Sequence, residues 1–356
     1  MKHKTLATIV GARPQFVKAA PVSRALSSAF KEVLIHTGQH YDYGMSEVFF
    51  SEMEMSQPDF NLGIGGGSHG EQTGRMLIEL EKVFNAIKPD CVLVYGDTNS
   101  TLAGALTAAK MQIPLAHVEA GLRSYNRAMP EEINRVLTDH VSDLLFCPTE
   151  TAVGNLASEG VEKGVYRVGD VMYDALLYNL QLAQRQSTIL QRLNLKKNGY
   201  ALATVHRAAN TDDRERISSI LSALGRLSLP VVFPVHPRAR KMMGEWGISA
   251  GKNVTLIEPV GPFDMLALQE NANCILTDSG GVQKEAYLVG VRCITLREET
   301  EWVETVSAGW NSLVGVHEEK IVELFENWFP MGKREPLYGD GHSSEKIGNI
   351  LLGFLK

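Results

Sequence analysis

The sequence predicts an α/β protein built from two Rossmann-like domains, and three observations carry that expectation. A single core seldom keeps growing past about 250 to 300 residues, so 356 residues with 44% hydrophobic content call for two packed domains and a cleft between them. Short apolar, β-branched runs ending in Gly, Asp, His or Thr recur along the chain, and a helix-periodic stretch usually follows each. That is the parallel-sheet pattern, in which strands covered by helices on both faces read as continuous apolar runs. The runs also fall into two sets of about six, one per half of the chain.

In the first half the strands are expected at TLATIVG (5–11), EVLIHTG (32–38), CVLVYGD (91–97), PLAHVEAG (114–121), LLFCPT (144–149) and VYRVGD (165–170). In the second half they are expected at YALATVH (200–206), VVFPVH (231–236), VTLIEPV (254–260), CILTDSGG (274–281), RCITLRE (292–298) and NSLVGV (311–316). The polar, Gln-rich stretch at 180–199 reads as the linking helix. A formal charge of −6, with 35 Lys and Arg scattered along the chain, offers no field for a polyanion, so nucleic acid is not an expected partner. The basic start MKHK precedes an apolar run too short for a secretory leader, and no run approaches the roughly 18 apolar residues of a membrane span. A cytoplasmic protein is expected. Cys91, Cys147, Cys274 and Cys293 lie far apart without paired spacing, so they read as reduced core residues rather than a metal site.

In open parallel sheets ligands bind at the carboxyl ends of the strands, so function is sought where the runs stop. The segment CILTDSGGVQKE (274–285) passes from a buried strand through Ser-Gly-Gly into a helix. Gly280 and Gly281 let backbone amides approach an oxyanion, Ser279 can cap the helix, and the helix start supplies partial positive charge. Such a turn suits a diphosphate, and Glu285 one turn on can accept hydrogen bonds from a ribose diol. A plain strand-to-helix turn has the same Ser-Gly-Gly pattern; Asp278 before it and Glu285 after it favour function. GARPQFVKAAP (11–21) puts Arg13 and Lys18 around Pro14 at a helix start, where both can balance a phosphate or simply be solvated. It is not G-x-G-x-x-G, which argues against a dinucleotide.

VYGDTNSTLAGAL places Asp97 at a strand end, either as a helix cap or as a reacting carboxylate. HVEAGLRSYNRAMPEEINR (117–135) groups Glu119, Arg123, Arg127, Glu131, Glu132, Asn134 and Arg135. Carboxylates beside arginines are a setting for acid–base chemistry, because neighbouring charges separate their pKa values. Glu119, following an apolar run, is the better candidate, while Glu132 reads as part of a surface salt-bridge network. His206 and His236 each follow a strand in the second half, where a histidine can titrate or bind phosphate, or merely cap a loop. Arg297 directly follows a strand, while most of the acids near Trp302 read as a solvated helix face.

Together GARPQFVK, GQH, VYGDTNSTLAGAL, HVEAGLRS, PEEINR, CPTE, VHR, TDSGGVQKEA and LREETEW resemble the non-hydrolysing UDP-N-acetylglucosamine 2-epimerase family along essentially the whole chain. The resemblance implies a GT-B-like pair of Rossmann domains with the active site in the interdomain cleft. The first domain would span 1–175, completed by a C-terminal helix at 344–356, and the UDP-binding domain 176–343. It also implies a homodimer, a UDP-sugar substrate, no metal or cofactor, and a role in surface polysaccharide precursors. Its reaction is anti elimination of UDP to a 2-acetamidoglucal, followed by re-addition on the flipped face. Residue by residue, Asp97, Glu119 and Glu131 match the family's catalytic carboxylates and His206 its catalytic histidine. Arg13, His236, Ser279, Gly280, Gly281 and Glu285 match its UDP contacts, and Lys18, Arg135 and Arg297 are expected beside them. Gln39 and His40 match a second, activating site in some relatives, although Tyr41 to Tyr43 depart from its usual pattern. Gly-Ala-Arg-Pro-Gln at 11–15 and Thr-Glu-Trp-Val-Glu at 300–304 replace the common GTRPE and TERPE and lean toward the branch acting on UDP-2,3-diacetamido-2,3-dideoxyglucuronate. A GT-B glycosyltransferase, a hydrolysing 2-epimerase and a non-catalytic nucleotide-sugar sensor are the alternatives.

Overall fold

The computed structural model describes residues 4–39 and 55–356. The chain divides into two compact units, Met1–Leu177 with Pro336–Lys356, and Tyr178–Glu335.

The first unit runs β1 (Thr5–Val10), α1 (Arg13–Leu26), β2 (Lys31–His36), β3 (Phe60–Asn61), α2 (His69–Ile87), β4 (Cys91–Tyr95), α3 (Asn99–Lys110), β5 (Leu115–Val118), α4 (Pro130–Val141), β6 (Leu144–Cys147), α5 (Glu150–Ser158) and β7 (Val165–Arg167). Its strands form one parallel sheet in the order β3-β2-β1-β4-β5-β6-β7. The continuous apolar runs are explained by what covers the sheet. Leu6 and Val10 of β1 with Cys91, Leu93 and Tyr95 of β4 enter one buried cluster, whereas Ala7, Ile9, Val92 and Val94 enter another. Alternate residues thus serve opposite faces, and both faces are core. The two-residue β3 was not expected: it pairs Phe60 and Asn61 with Ile35 and His36, and a strand so short leaves no apolar run to find.

Helix α6 (Val171–Gln186) carries the chain from one unit to the other, since the division falls between Leu177 and Tyr178. The single linking helix expected over 180–199 is instead the end of α6 and a short α7 (Ile189–Arg192). The break is at Ser187, whose hydroxyl donates to Asp264 at 2.5 Å and also accepts from the Ile189 N–H. Side-chain hydrogen bonding of this kind competes with the helix ladder. Further on, Asn194 and Asn198 take left-handed φ angles of 51° and 58°, which end any helix there.

The second unit continues with β8 (Ala201–Thr204), α8 (Ala208–Thr211), α9 (Arg214–Arg226), β9 (Val231–Pro234), α10 (Pro237–Trp246), β10 (Val254–Ile257), α11 (Pro262–Asn271), β11 (Cys274–Thr277), α12 (Gly280–Val289), β12 (Arg292–Thr295), α13 (Val303–Ser307), β13 (Asn311–Leu313) and α14 (Glu318–Asn327). Its sheet is parallel throughout, ordered β10-β9-β8-β11-β12-β13. All twelve runs read from the sequence are strands. The four cysteines are buried and unpaired by disulfides, each thiol pushed up by burial, to about 12 for Cys91, Cys147 and Cys274.

The last helix, α15 (Ser343–Phe354), belongs to the first unit. It packs on α1, with Ile347 and Leu351 in the cluster that holds Val22 and Leu26. Its start is held by Asp174, which accepts the Ser343 and Ser344 N–H groups at 3.1 and 2.7 Å. Truncating fully buried Ile347 to alanine is expected to cost about 2 to 5 kcal/mol. A lowered urea midpoint for unfolding of the first unit would register it; an unchanged midpoint would show that α15 contributes nothing there.

Candidate active site

In each sheet the strand order reverses once, between β1 and β4 in the first unit and between β8 and β11 in the second. A crevice opens at such a point outside the carboxyl ends of the two strands. Asp97, His206 and Ser279 follow strands at these two places, and Glu119, His236 and Arg297 follow strands next to or beyond them.

In the first unit the turn after β1 is packed against the turn after β4. A Cβ on Gly11 would lie 2.1 Å from both Ser100 Oγ and Thr37 Oγ1, so only glycine fits. Buried Gln15 accepts the Gly11 and Ala12 N–H groups at 2.8 and 3.0 Å. Its amide also donates to Tyr95 O and Thr101 Oγ1 at 2.9 and 3.0 Å. Both amide hydrogens and both oxygen lone pairs are used, which a carboxylate could not match.

Lys18 lies beneath the same turn. Its Nζ is 2.5 Å from Glu119 Oε2, and a Cβ on Gly96 would meet it at 3.2 Å. Burial alone would lower the Lys18 pKa; Glu119 beside it, with Asp97 and Asp170 adding to the field, outweighs burial and raises it. This lysine was expected either to balance a phosphate's charge or to be solvated; in the structure it pairs with the Glu119 carboxylate. Glu119 has a φ of 72°, a left-handed conformation that an L-residue holds only where its surroundings impose it.

Asp97 is not a helix cap. Thr98 caps α3, accepting from the Thr101 N–H, and Asp97 is left to an ion pair with Arg135. Arg135 Nη1 is also 3.2 Å from Glu132. Glu132 corrects the reading as a surface charge: it is buried and accepts the Ser124 and Tyr125 N–H groups at 2.9 and 2.8 Å. Burial would raise its pKa, but these bonds and Arg135 hold it below the usual range. Glu131 is exposed one helical turn before Arg135 on α4, and Arg13 is exposed at the start of α1. Gln39, matched to a second site, spends its carbonyl on Ser100, accepting from N–H and Oγ at 3.0 and 2.6 Å. His40 lies outside the described residues.

In the second unit the centre is Asp278, fully buried at the end of β11. It accepts the His206 and Arg207 N–H groups and Asn210 Nδ2, each at 3.1 Å, and its Oδ1 lies 3.2 Å from His206 Nδ1. Burial works against the Asp278 charge, but His206 and these donors lower its pKa overall. The His206 ring is thereby oriented with its other edge toward solvent, 6.1 Å from the ring of His236. Ser279 stands at the start of α12 but its hydroxyl makes no capping bond, a correction to its expected role as a cap. A Cβ on Gly280 would fall 1.8 Å from Glu301 Oε1, so the backbone is bare enough there for a carboxylate oxygen to rest on it. Glu301 is in turn 2.9 Å from Arg297, which places Arg297 at the same turn. Glu285 is half-buried one turn into α12 and accepts from Gln269 Nε2 at 2.8 Å.

A family model described as UDP-N-acetylglucosamine 2-epimerase matches residues 24–352. The chain belongs to the UDP-N-acetylglucosamine 2-epimerase family. It is 54% identical over 97% of its length to a Methanococcus maripaludis UDP-N-acetylglucosamine 2-epimerase homolog, covering 99% of that protein. It is 49% identical, over 97% of this chain and 98% of the relative, to the UDP-2,3-diacetamido-2,3-dideoxy-D-glucuronate 2-epimerase of Pseudomonas aeruginosa. Among solved structures, the UDP-GlcNAc 2-epimerase of Methanocaldococcus jannaschii matches with a TM-score of 0.88 at 45% identity, covering 98% of this chain and 99% of that one. A calicheamicin glycosyltransferase matches at 11% identity with a TM-score of 0.57, over 99% of this chain and 95% of that one, a likeness of fold alone that agrees with the GT-B-like expectation. Among the described residues no helix is long and apolar enough to cross a membrane, and no group of three or more His, Cys, Asp or Glu could hold a metal ion.

Glu285 sets a pH signature for this 2-epimerase family member. Burial raises its pKa, and the bond from Gln269 only partly offsets that. The fold therefore favours its protonated form: the stabilisation is complete below the ordinary glutamate value and is lost as pH rises through the raised one. Glu285→Gln, uncharged at every pH, is expected to remove this decline and raise the thermal midpoint at pH 7 relative to wild type. Midpoints measured from pH 4 to 8 would check it, and parallel curves for the two proteins would contradict it.

Proposed function

We propose that this chain epimerises C2 of a UDP-activated N-acetylated sugar, of the UDP-GlcNAc to UDP-ManNAc type, by eliminating and re-adding UDP. One observation carries the reading. Asp97 and Glu119 stand on neighbouring strand ends of one unit with Lys18 against Glu119, while the other unit offers at its own strand-order reversal a bare Ser-Gly-Gly turn beside two histidines.

The C2 hydrogen of an acetamido sugar is too weakly acidic for simple proton exchange. Breaking C2–H and the anomeric C–O bond together forms a C1–C2 double bond and releases UDP, so no carbanion is left unsupported. A carboxylate takes the proton, and the departing diphosphate needs charge stabilisation. Asp97, Glu119 and Glu131 are assigned to the proton transfers on the two faces of the sugar. His206 is assigned as the catalytic histidine, and Arg13, His236, Ser279, Gly280, Gly281 and Arg297 are assigned to UDP, with Glu285 on its ribose. Arg135 then holds Asp97 and Lys18 holds Glu119, each fixing the direction of a carboxylate. The product would serve surface polysaccharide synthesis, made in the cytoplasm by a homodimer, as the family resemblance implies.

A second substrate is favoured by the Pseudomonas aeruginosa relative, whose name specifies the diacetamido glucuronate. The M. jannaschii enzyme, 46% identical, has been solved in complex with UDP-GlcNAc and UDP and supports the first. Both UDP-sugars incubated side by side with the protein in heavy water and followed by proton NMR decide between them. Formation of the 2-epimer from at least one, with deuterium at C2 of recovered substrate, is expected. No epimer from either, free N-acetylmannosamine, or transfer of the sugar to an added acceptor would overturn the proposal. Asp97→Asn is expected to lower turnover at least 100-fold while UDP binding by calorimetry stays within a few-fold.

A further inference from the structure

His117 is completely buried inside β5, on a strand whose other residues are apolar. Both ring nitrogens face oxygen: Nδ1 is 2.7 Å from Asp139 Oδ1 and Nε2 is 2.8 Å from the Gly96 carbonyl. A carbonyl has no proton to give, so Nε2–H donates to Gly96 O. Asp139 also accepts the Gly121 N–H at 3.1 Å and Arg123 Nη1 at 2.6 Å, so the carboxylate beside Nδ1 is itself held in place. Burial opposes that carboxylate's charge, but His117 and Arg123 outweigh it and keep Asp139 ionised.

Gly96 is the residue before Asp97. Its N–H donates to Val118 O at 3.0 Å, its carbonyl is taken by His117, and its φ is 62°. The next carbonyl, that of Asp97, accepts from Asn134 Nδ2 at 3.0 Å. Two consecutive carbonyls are therefore gripped by two buried side chains, one of them anchored by Asp139, and both Asn134 and Asp139 lie on α4. A sheet and helix packed without polar links would cover this turn equally well; hydrogen bonds to it fix its dihedral angles.

We propose that His117, held by Asp139, and Asn134 are positioning residues that clamp the carbonyls of Gly96 and Asp97 and so aim the Asp97 carboxylate at the reacting carbon. The proposal rests on the assignment of Asp97 as a reacting carboxylate. An error of about 1 Å in such a group can cost on the order of 100-fold in rate without weakening binding.

The test compares two substitutions that split the imidazole. His117→Asn keeps an amide near the place of Nδ1 and loses the reach to Gly96; His117→Gln reaches the place of Nε2 and loses the contact with Asp139. Steady-state epimerisation of whichever UDP-sugar the wild type accepts is measured with UDP binding and thermal midpoints. His117→Asn is expected to lose tenfold or more in kcat with KM and UDP affinity within twofold, and His117→Gln to recover most of that loss. Asn134→Ala, outside the buried ion pair, is expected to lose kcat in the same way and decides the matter if neither histidine variant folds. Equal kcat per folded protein in the two His117 variants, or wild-type kcat in Asn134→Ala, overturns the clamp. If the wild type turns over neither sugar, the assignment of Asp97 fails by itself. The clamp is then read from amide hydrogen exchange at residues 96 to 98, expected to be faster in Asn134→Ala; unchanged protection overturns it.

Discussion

Parallel strand pairing is the constraint from which the rest of this molecule follows. Because every strand in both sheets runs the same way, each must return through a crossover, and all carboxyl ends in a sheet lie on one edge. Among the described residues the helices between strands bury both faces, so strand interiors are almost wholly apolar and polar chemistry is displaced to the strand ends. Where the order reverses, neighbouring crossovers leave on opposite faces and the edge stays uncovered. Asp97, His206 and Asp278 stand there for that reason, and so do the glycines whose Cβ atoms would collide with neighbours or a carboxylate oxygen.

The charges at that edge are tied down in pairs. Lys18 holds Glu119, Arg135 holds Asp97, and Asp278 holds His206. Burial opposes the charge of fully buried Asp278, and His206 with the donors around it offsets that cost. The same pairing fixes direction, which matters more to catalysis than the net stability a pair contributes. In the second unit's turn the Glu301 carboxylate lies against bare Gly280 and pairs with Arg297.

The strands were legible in the sequence because a strand buried on both faces writes itself as a continuous apolar run, as in CVLVY and CILT. The strand β3 was not, being two residues long, and the linking helix was misjudged because the bond from Ser187 to Asp264 is long-range. Positions at strand ends were likewise legible, whereas partners were not. Glu132 looked like a surface charge because nothing local shows that the backbone of residues 124 and 125 bends back to it. Lys18 looked solvated or phosphate-facing because Glu119 is a hundred residues away in sequence and adjacent only after β1, β4 and β5 pair. Asn134 was noted only as one member of the group at 117–135, and His117 was passed over, yet a histidine in the middle of the apolar run LAHV is a signal: such a side chain needs partners for both nitrogens.

The central claim is that UDP leaves and returns through cleavage at the anomeric carbon, with its terminal phosphate free to turn between the two steps. UDP-GlcNAc, or the diacetamido glucuronate if that is the sugar accepted, carrying oxygen-18 in the bridge between C1 and the β-phosphorus tests it directly. After partial conversion, phosphorus NMR of recovered UDP-sugar is predicted to show the label spread from the bridge into the non-bridging β-phosphate oxygens, because released UDP rotates before it adds back. Label retained wholly in the bridge while the 2-epimer accumulates would contradict elimination and require C2 inversion with the anomeric bond intact.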